Sequence, residues 1–245
     1  MSSSALLAAD GLTKRFGGVA AVAGCSFSVP SGTITALVGP NGSGKTTVFN
    51  LLTGYLRADS GMVKFEGRAI RRPNPISLYR SGLTRTFQQA RIFPDLTLVE
   101  NLCVATPQPW RAIVRRAVGR DDHRRAHALL EEFGLAHLAT ESAGSLSYGQ
   151  KKLLEFATAL MGEPRLVLLD EPTAGVNPVM VEAIETRIRE LNARGLTFLV
   201  VEHNMNLVMR LCDPVIVLDH GTKLAEGKPN DVRRDPRVLD AYLGA

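Results

Sequence analysis

A glycine-rich loop near the start of the chain has the residue types and the spacing that bind phosphate. It fits the pattern G-x-x-x-x-G-K-[ST] and runs Gly39-Pro40-Asn41-Gly42-Ser43-Gly44-Lys45-Thr46-Thr47. Glycines let main-chain N–H groups turn inward around an anion, and the helix predicted to begin near Lys45 adds positive partial charge. We expect Lys45 to reach the β- and γ-phosphates of a nucleotide and the Thr46 hydroxyl to bind Mg²⁺. The loop therefore predicts phosphate binding.

Two adjacent carboxylates follow an apolar run in the second half of the chain, Leu166-Val167-Leu168-Leu169-Asp170-Glu171. A carboxylate at the end of a buried strand can reach Mg²⁺ beside a phosphate loop, usually through water, and Asp170 fits that role. Glu171 can polarise an attacking water as a general base. The alternative is a polar strand exit before a turn. The presence of the phosphate loop favours the catalytic interpretation.

A third motif, Leu146-Ser147-Tyr148-Gly149-Gln150, precedes a predicted helix at 151–161. Ser147 and Gln150 satisfy a capping box, which only starts a helix, but a serine hydroxyl at a helix N-terminus also suits a γ-phosphate. The motif resembles the LSGGQ signature of ATP-binding-cassette (ABC) ATPases. That resemblance implies two subunits that sandwich two ATP molecules, with Ser147 and Gly149 of one chain completing the site of the other.

The resemblance to ABC ATPases also implies roles for three isolated residues. His203, after the apolar run 196–201, matches the switch histidine that contacts the γ-phosphate. Gln88 matches the glutamine that links the metal and the water to the helical subdomain, although Gln89 is adjacent and competes for the assignment. Phe16 resembles the aromatic residue that stacks on adenine; the alternative is a core phenylalanine near a turn.

The resemblance covers essentially the whole chain, from about Leu6 to Ala245, and it is closest to the importers of branched-chain amino acids. The stretches that carry it are Gly82–Gln88, Leu98–Leu102, Leu146–Gln150, Ala174–Pro178 and Ala241–Gly244. Tyr148 stands where most ABC ATPases have glycine and Asn177 where they have aspartate, yet both are familiar in this subfamily. Asn177 is also a good N-cap for a helix that begins at Pro178. The resemblance implies membrane permease subunits, a second ATPase chain and a periplasmic solute-binding protein as partners.

Several alternatives remain open at this stage. Importers of urea and short amides share much of the pattern, and lipid or lipopolysaccharide exporters have similar single-cassette chains. A soluble ABC ATPase acting on DNA or ribosomes usually has two cassettes or a long coiled coil, whereas here 102 positions (147 − 45) without heptads separate Lys45 from Ser147. A GTPase would need an Asn-Lys-x-Asp motif, which does not occur. We expect no nucleic acid partner.

The composition is that of an ordinary globular protein. Of the 245 residues, 45% are hydrophobic and 22% charged, and the formal net charge is +5, which does not choose among anionic partners. Cys25, Cys103 and Cys212 lie far apart and predict buried thiols rather than a disulfide or zinc site. No run of apolar residues is longer than five, far short of the roughly 20 that a spanning helix needs. We therefore expect a peripheral subunit on the cytoplasmic face of the plasma (inner) membrane, with the pore in another chain.

Short apolar runs alternate with helical patterns, which predicts an α/β fold with a mainly parallel sheet. The predicted buried strands are Ile34–Val38, Leu166–Leu169, Leu196–Val201 and Val215–Leu218, and helices are expected at Val179–Arg194 and Asp121–Phe133. Residues 90–161 show helical patterns only, with an arginine cluster between Arg111 and Arg125 that forms a solvated face or contacts lipid head groups or a partner. The resemblance to ABC ATPases implies a P-loop NTPase ABC cassette with an antiparallel β subdomain, in which 1–89 and 162–245 form the ATP-binding core and 90–161 the helical subdomain.

Overall fold

The computed structural model describes residues 5–106 and 119–243, which form two β-sheets and the helices packed on them. The strands, numbered along the chain, are β1 (Ala5–Phe16), β2 (Val19–Pro30), β3 (Ile34–Val38), β4 (Ser60–Phe65), β5 (Arg68–Ile70), β6 (Leu83–Arg85), β7 (Leu166–Asp170), β8 (Thr197–Val201), β9 (Val215–Asp219) and β10 (Thr222–Gly227). The helices are α1 (Lys45–Leu52), α2 (Pro75–Arg80), α3 (Leu98–Val104), α4 (Arg120–Glu132), α5 (Tyr148–Ala159), α6 (Pro178–Ala193), α7 (Met205–Leu211), α8 (Pro229–Arg234) and α9 (Pro236–Leu243).

The larger sheet has the strand order β10-β9-β3-β8-β7-β6 and is parallel except for the β9–β10 pair. Every residue of β3, β7 and β8 is buried, which explains why these strands read as unbroken apolar runs. Leu37 of β3 and Asp170 of β7 both pair with Val201 of β8. The carboxyl ends of the three strands therefore lie side by side, and the segments that follow them meet at one edge of the sheet.

The two faces of the larger sheet belong to two different clusters of buried side chains. Leu168 and Leu199 pack with α1 and with the antiparallel sheet, whose strand order is β2-β1-β4-β5. On the opposite face Val167 and Phe198 pack with apolar residues of α3, α4, α5 and α6. Alternate residues of each strand point to opposite faces of the sheet, so each strand contributes to both clusters. The helices between β6 and β7 share one continuous core with one face of the parallel sheet.

The structure confirms the predicted fold class, and the four predicted strands agree with β3, β7, β8 and β9 to within one residue at each end. Helix α5 begins at Tyr148, three residues before the predicted start, because Ser147 caps it. Between residues 90 and 161 the described parts, 90–106 and 119–161, contain helices and no strand. The proposed subdomain boundaries at these positions stay a prediction. Of the arginine cluster, the residues at 111, 115 and 116 lie outside the described residues.

All three cysteines are buried, as predicted, and form no disulfide. Burial raises the pKa of the Cys25 and Cys103 thiols to about 11 and that of Cys212 to about 12, so these thiols stay protonated and unreactive. Within residues 5–106 and 119–243, no helix combines the length and the apolar character that crossing a membrane requires.

Candidate active site

The phosphate loop joins β3 to α1 at the carboxyl edge of the larger sheet. At Gly39 the backbone has φ 153° and passes so close to β9 that a Cβ would overlap the carbonyl oxygen of Leu218. Gly44 has φ 100°, and a Cβ there would lie 2.5 Å from the carbonyl oxygen of Ala21. Only glycine fits these two positions. The loop then turns directly into α1, whose first main-chain N–H groups lack helical partners and can bind an anion.

Lys45 is buried inside this loop, with only 6% of its surface exposed. Its ammonium donates hydrogen bonds to the carbonyl oxygens of Gly39 and Pro40, both at 2.8 Å. Burial lowers the pKa of Lys45, and the carboxylate of Glu171 acts in the opposite direction. The Lys45 ammonium is therefore held inside the loop by the loop's own carbonyl oxygens. Thr46, the next residue of α1, is exposed.

Glu171, directly after β7, is the centre of a hydrogen-bonded group of three side chains. Its Oε2 accepts a hydrogen bond from Gln88 Nε2 at 3.0 Å, and its Oε1 lies within hydrogen-bond distance of His203 Nε2, at 2.9 Å. Gln89 makes no such contact among the described residues. Glu171 has φ 48°, a strained conformation for a residue with a side chain, and its N–H donates to the carbonyl oxygen of Val201 at 2.9 Å. Gln88 and His203, far apart in the sequence, thus converge on the Glu171 carboxylate.

Glu202, which the sequence analysis missed, holds two of the loops at this edge together. It is 4% exposed and accepts hydrogen bonds from the main-chain N–H groups of Thr173 at 3.0 Å, His203 at 3.0 Å and Asn204 at 3.2 Å. Its second contact with Thr173, through the hydroxyl, is 2.5 Å long. Glu202 therefore ties the loop after Glu171 to the segment that carries His203.

Asp170 forms a buried ion pair that the sequence analysis also missed. Its Oδ2 accepts a hydrogen bond from Arg85 Nη2 at 2.6 Å, and the Arg85 Nη1 donates to Asn50 Oδ1 of α1 at 2.6 Å. Three aromatic rings surround the guanidinium, with centroids between 5.1 and 5.8 Å from its carbon: Phe49, Tyr55 and Phe87. Arg85 thereby links β7, the helix of the phosphate loop and the segment that leads to Gln88. The Oδ1 of Asp170 accepts no hydrogen bond from residues 5–106 or 119–243.

Ser147 and Gly149 stand apart from this group. Ser147 is exposed and caps α5, since its Oγ accepts from the N–H of Gln150 at 3.4 Å and its own N–H donates to Gln150 Oε1 at 2.9 Å. Within the described parts of the chain, neither residue makes a hydrogen bond to the phosphate loop. Phe16, at the end of β1, is 49% exposed and is not a core residue. The candidate site residues of a single chain therefore fall into separate groups.

The two departures from the usual ABC pattern both involve the loop after Glu171. The Tyr148 ring packs against the loop after Glu171, where a Cβ on Gly175 would lie 3.2 Å from the ring. In the same loop Asn177 caps α6, as predicted, because its Oδ1 accepts from the N–H of Met180 at 2.9 Å. A neutral asparagine thus serves the helix start in place of a charged residue.

The chain matches models of one protein family and several of its known members. The family described as ABC transporter matches residues 22–174, and the one described as Branched-chain amino acid ATP-binding cassette transporter matches residues 222–245. The chain is 39% identical to the high-affinity branched-chain amino acid transport ATP-binding protein BraF of Pseudomonas aeruginosa, over 99% of each chain. The chain belongs to the ABC transporter family. This ABC cassette is an ATP-binding subunit and an ATPase, as predicted.

Other relatives and solved structures agree with this assignment. The cassette is 37% identical to a probable branched-chain amino acid transport ATP-binding protein LivG of Methanocaldococcus jannaschii, over 98% of this chain and 97% of that one. A nucleotide-free ATP-binding cassette from an ABC transporter superimposes with a TM-score of 0.89 at 36% identity, over 99% of this chain and all of that one. The ADP conformation of an ABC transporter cassette gives a TM-score of 0.88 at the same identity, with coverage of 99% and 100%.

Proposed function

We propose that this ABC cassette hydrolyses ATP within a dimer and thereby energises the import of branched-chain amino acids or related small polar solutes. The observation that carries the chemical part is the hydrogen-bonded group of Gln88, Glu171 and His203 at the sheet edge where the phosphate loop lies. Glu171 acts as the general base on the attacking water, and His203 contacts the γ-phosphate. Lys45 and the main-chain N–H groups of residues 39–47 bind the phosphates.

The residues present also fit Mg²⁺. A hydroxyl from Thr46, an amide oxygen from Gln88 and the Oδ1 of Asp170, which accepts no hydrogen bond from the described residues, are hard oxygen ligands of the kind that this ion prefers. Among the described residues, no group of three or more acidic, histidine or cysteine side chains is arranged to hold a metal ion. When bound, Mg²⁺ neutralises charge that develops on the phosphates. Asp170 stays oriented through its other oxygen by Arg85.

The second half of the site comes from a partner cassette in this proposal. Ser147 is exposed at the start of α5, where the helix dipole and the hydroxyl favour a γ-phosphate bound to the other subunit. Gly149 lies beside it, and the exposed ring of Phe16 stacks on adenine in this proposal. A related cassette of known structure is described as a dimer bound to ADP and phosphate in a post-hydrolysis state. An isolated monomer should therefore bind ATP but hydrolyse it poorly.

The proposed partners are permease subunits, a second ATPase chain (identical or related) and a solute-binding protein, with the cassette on the cytoplasmic face of the inner membrane. A groove of about 530 Å³ between the sheet edge and the helices beyond Gln88 offers a contact surface for a permease. Residues that line it include Tyr79, Phe87, Arg91 and Val104. The names of BraF and LivG favour amino acid import over lipid or lipopolysaccharide export and over a role outside transport.

Uptake by cells that lack the cassette tests this proposal. Deletion of the coding sequence should abolish uptake of radiolabelled leucine, with urea and a short amide assayed in parallel. The wild-type chain should restore uptake, whereas Glu171→Gln, expressed at the same level, should not. Full leucine uptake in the deletion strain, or full restoration by Glu171→Gln, would argue against the proposal.

A further inference from the structure

Helix α5, which begins at Ser147, carries two buried charged side chains one turn apart. Lys152 is 5% exposed and Glu155 is 7% exposed. Opposite charges three positions apart on a helix can pair with each other. These two make no salt bridge within 4.0 Å, although each belongs to the described residues. Both side chains instead bond to the main chain of residues 87–91, the loop between β6 and α3 that contains Gln88.

The chemistry of the two contacts is complementary. The Lys152 ammonium donates to the carbonyl oxygens of Phe87 at 3.2 Å and Gln88 at 2.5 Å. Glu155 Oε1 accepts from the N–H groups of Phe87 at 3.0 Å and Arg91 at 3.4 Å. Residues 87–91 form neither helix nor strand, so their main-chain polar groups need partners from elsewhere. Helix α5 supplies those partners on both sides of Gln88.

Gln88 is thus held at two points. Its carbonyl oxygen is bound by Lys152, and its side-chain Nε2 reaches Glu171 Oε2 at 3.0 Å. Lys152 follows Ser147 by five residues, about 7.5 Å along a helix, so one rigid element carries both the signature serine and the contacts to Gln88.

We propose that Glu155 and Lys152 are positioning residues that hold Gln88 against the general base Glu171. In this arrangement α5 sets the position of Gln88. Burial raises the pKa of Glu155 to about 7, so keeping its carboxylate charged inside the fold costs stability. A buried carboxyl that is kept at such a cost favours a functional role for Glu155. The inference rests on the proposed role of Gln88 in hydrolysis.

The test compares Glu155→Leu with Glu155→Gln, each in the wild-type chain and in a Gln88→Ala chain. Glutamine keeps an oxygen that can accept from the N–H groups of Phe87 and Arg91, whereas leucine removes it. We expect Glu155→Leu to lower kcat about tenfold without changing the affinity for ATP, and Glu155→Gln to stay within about threefold of wild type. In the Gln88→Ala chain, where the positioned side chain is already gone, Glu155→Leu should lower kcat less than about twofold further.

Thr158→Val provides a matched control on the same helix. Thr158, one turn beyond Glu155, bonds the carbonyl oxygen of Leu154 at 2.7 Å and makes no hydrogen bond to residues 87–91 in the described structure. Thr158→Val should change kcat less than about twofold in both the wild-type and the Gln88→Ala chain. If Glu155→Leu fails to fold, Lys152→Met takes its place and is likewise measured in both the wild-type and the Gln88→Ala chain.

Hydrogen exchange gives a readout that is independent of catalysis. The amides of Phe87 and Arg91 should exchange faster in Glu155→Leu than in the wild type, with protection retained in Glu155→Gln. The inference would be overturned if Glu155→Leu lowered kcat by the same factor in the wild-type and Gln88→Ala chains. It would also be overturned if Glu155→Gln lowered kcat as much as Glu155→Leu does. Failure of the wild-type dimer to hydrolyse ATP would instead refute the proposed function.

Discussion

Replacing Glu155 with glutamine should change how the stability of the cassette depends on pH. Burial raises the pKa of Glu155 from its ordinary value of 4.5 to about 7, against the opposing effects of the Phe87 and Arg91 N–H groups and the charges of Lys152 and Arg91. Between pH 4.5 and about pH 7, Glu155 therefore keeps a proton in the folded chain that it has already released in the unfolded chain. The stability linked to this proton is fully present below pH 4.5 and is lost as the pH rises through about 7.

The magnitude follows from the difference between the two pKa values. A difference of about 2.5 (7 − 4.5) corresponds to about 3 kcal/mol over the whole range. Between about pH 5 and about pH 8 the wild type should lose roughly 2 to 3 kcal/mol of unfolding free energy through this group. Glutamine does not ionise, so the stability of Glu155→Gln relative to wild type should rise by that amount over the same interval.

Urea unfolding followed by circular dichroism at several pH values measures this difference. Glu185→Gln is a suitable control, because the hydrogen bond from Arg210, followed by that from Arg189, lowers the pKa of Glu185 below its ordinary value of 4.5. The stability from Glu185 is present above its unfolded pKa and is lost only as the pH falls through its folded pKa. The difference in unfolding free energy between Glu185→Gln and wild type should therefore stay constant between about pH 5 and about pH 8. Parallel curves for Glu155→Gln and wild type over that interval would refute the reasoning.

Three further predictions follow from the site. Lys45→Ala should weaken ATP binding more than about tenfold by calorimetry, because it removes the charge held inside the phosphate loop; unchanged affinity would contradict this role. Arg85→Met should cost about 3–5 kcal/mol in urea unfolding, since it leaves the buried Asp170 carboxylate without its partner, and a cost below about 1 kcal/mol would argue against the ion pair. Asn177→Ala should cost about 1 kcal/mol by the same measurement, through the lost cap of α6, whereas Asn177→Asp should keep most of the stability.

The parts of the cassette that the sequence predicts well have signals within a few neighbouring residues. Strands β3, β7 and β8 are buried on both faces and therefore read as apolar runs, and the phosphate loop has a fixed spacing between a strand and a helix. Placing the loop, Asp170 and His203 at one sheet edge needs only the rule that parallel strands end together. Strand β6 was missed because three residues carry too little periodicity.

The polar contacts between distant segments were not predicted, because pairing across the fold leaves no local pattern. Arg85 and Asp170 are 85 positions apart, and Glu155 lies 68 positions from Phe87. A weak signal exists for each: Arg85 follows the apolar start of β6, and Glu155 stands between Leu154 and Phe156 on the buried side of α5. A charge in such surroundings indicates a specific partner, but only the folded chain identifies which one.

The dimeric state of Glu171→Gln with ATP tests the account most directly, because the site is complete only when Ser147 and Gly149 of a second subunit face the bound nucleotide. Light scattering should show a monomer without nucleotide and a doubled molar mass with Mg²⁺ and ATP, and hydrolysis should be very slow. Adding Ser147→Arg to that variant should prevent the doubling while ATP still binds. A Glu171→Gln chain that stays monomeric with ATP bound, or that hydrolyses ATP at a near-normal rate, would contradict the composite site and the role of Glu171 as general base.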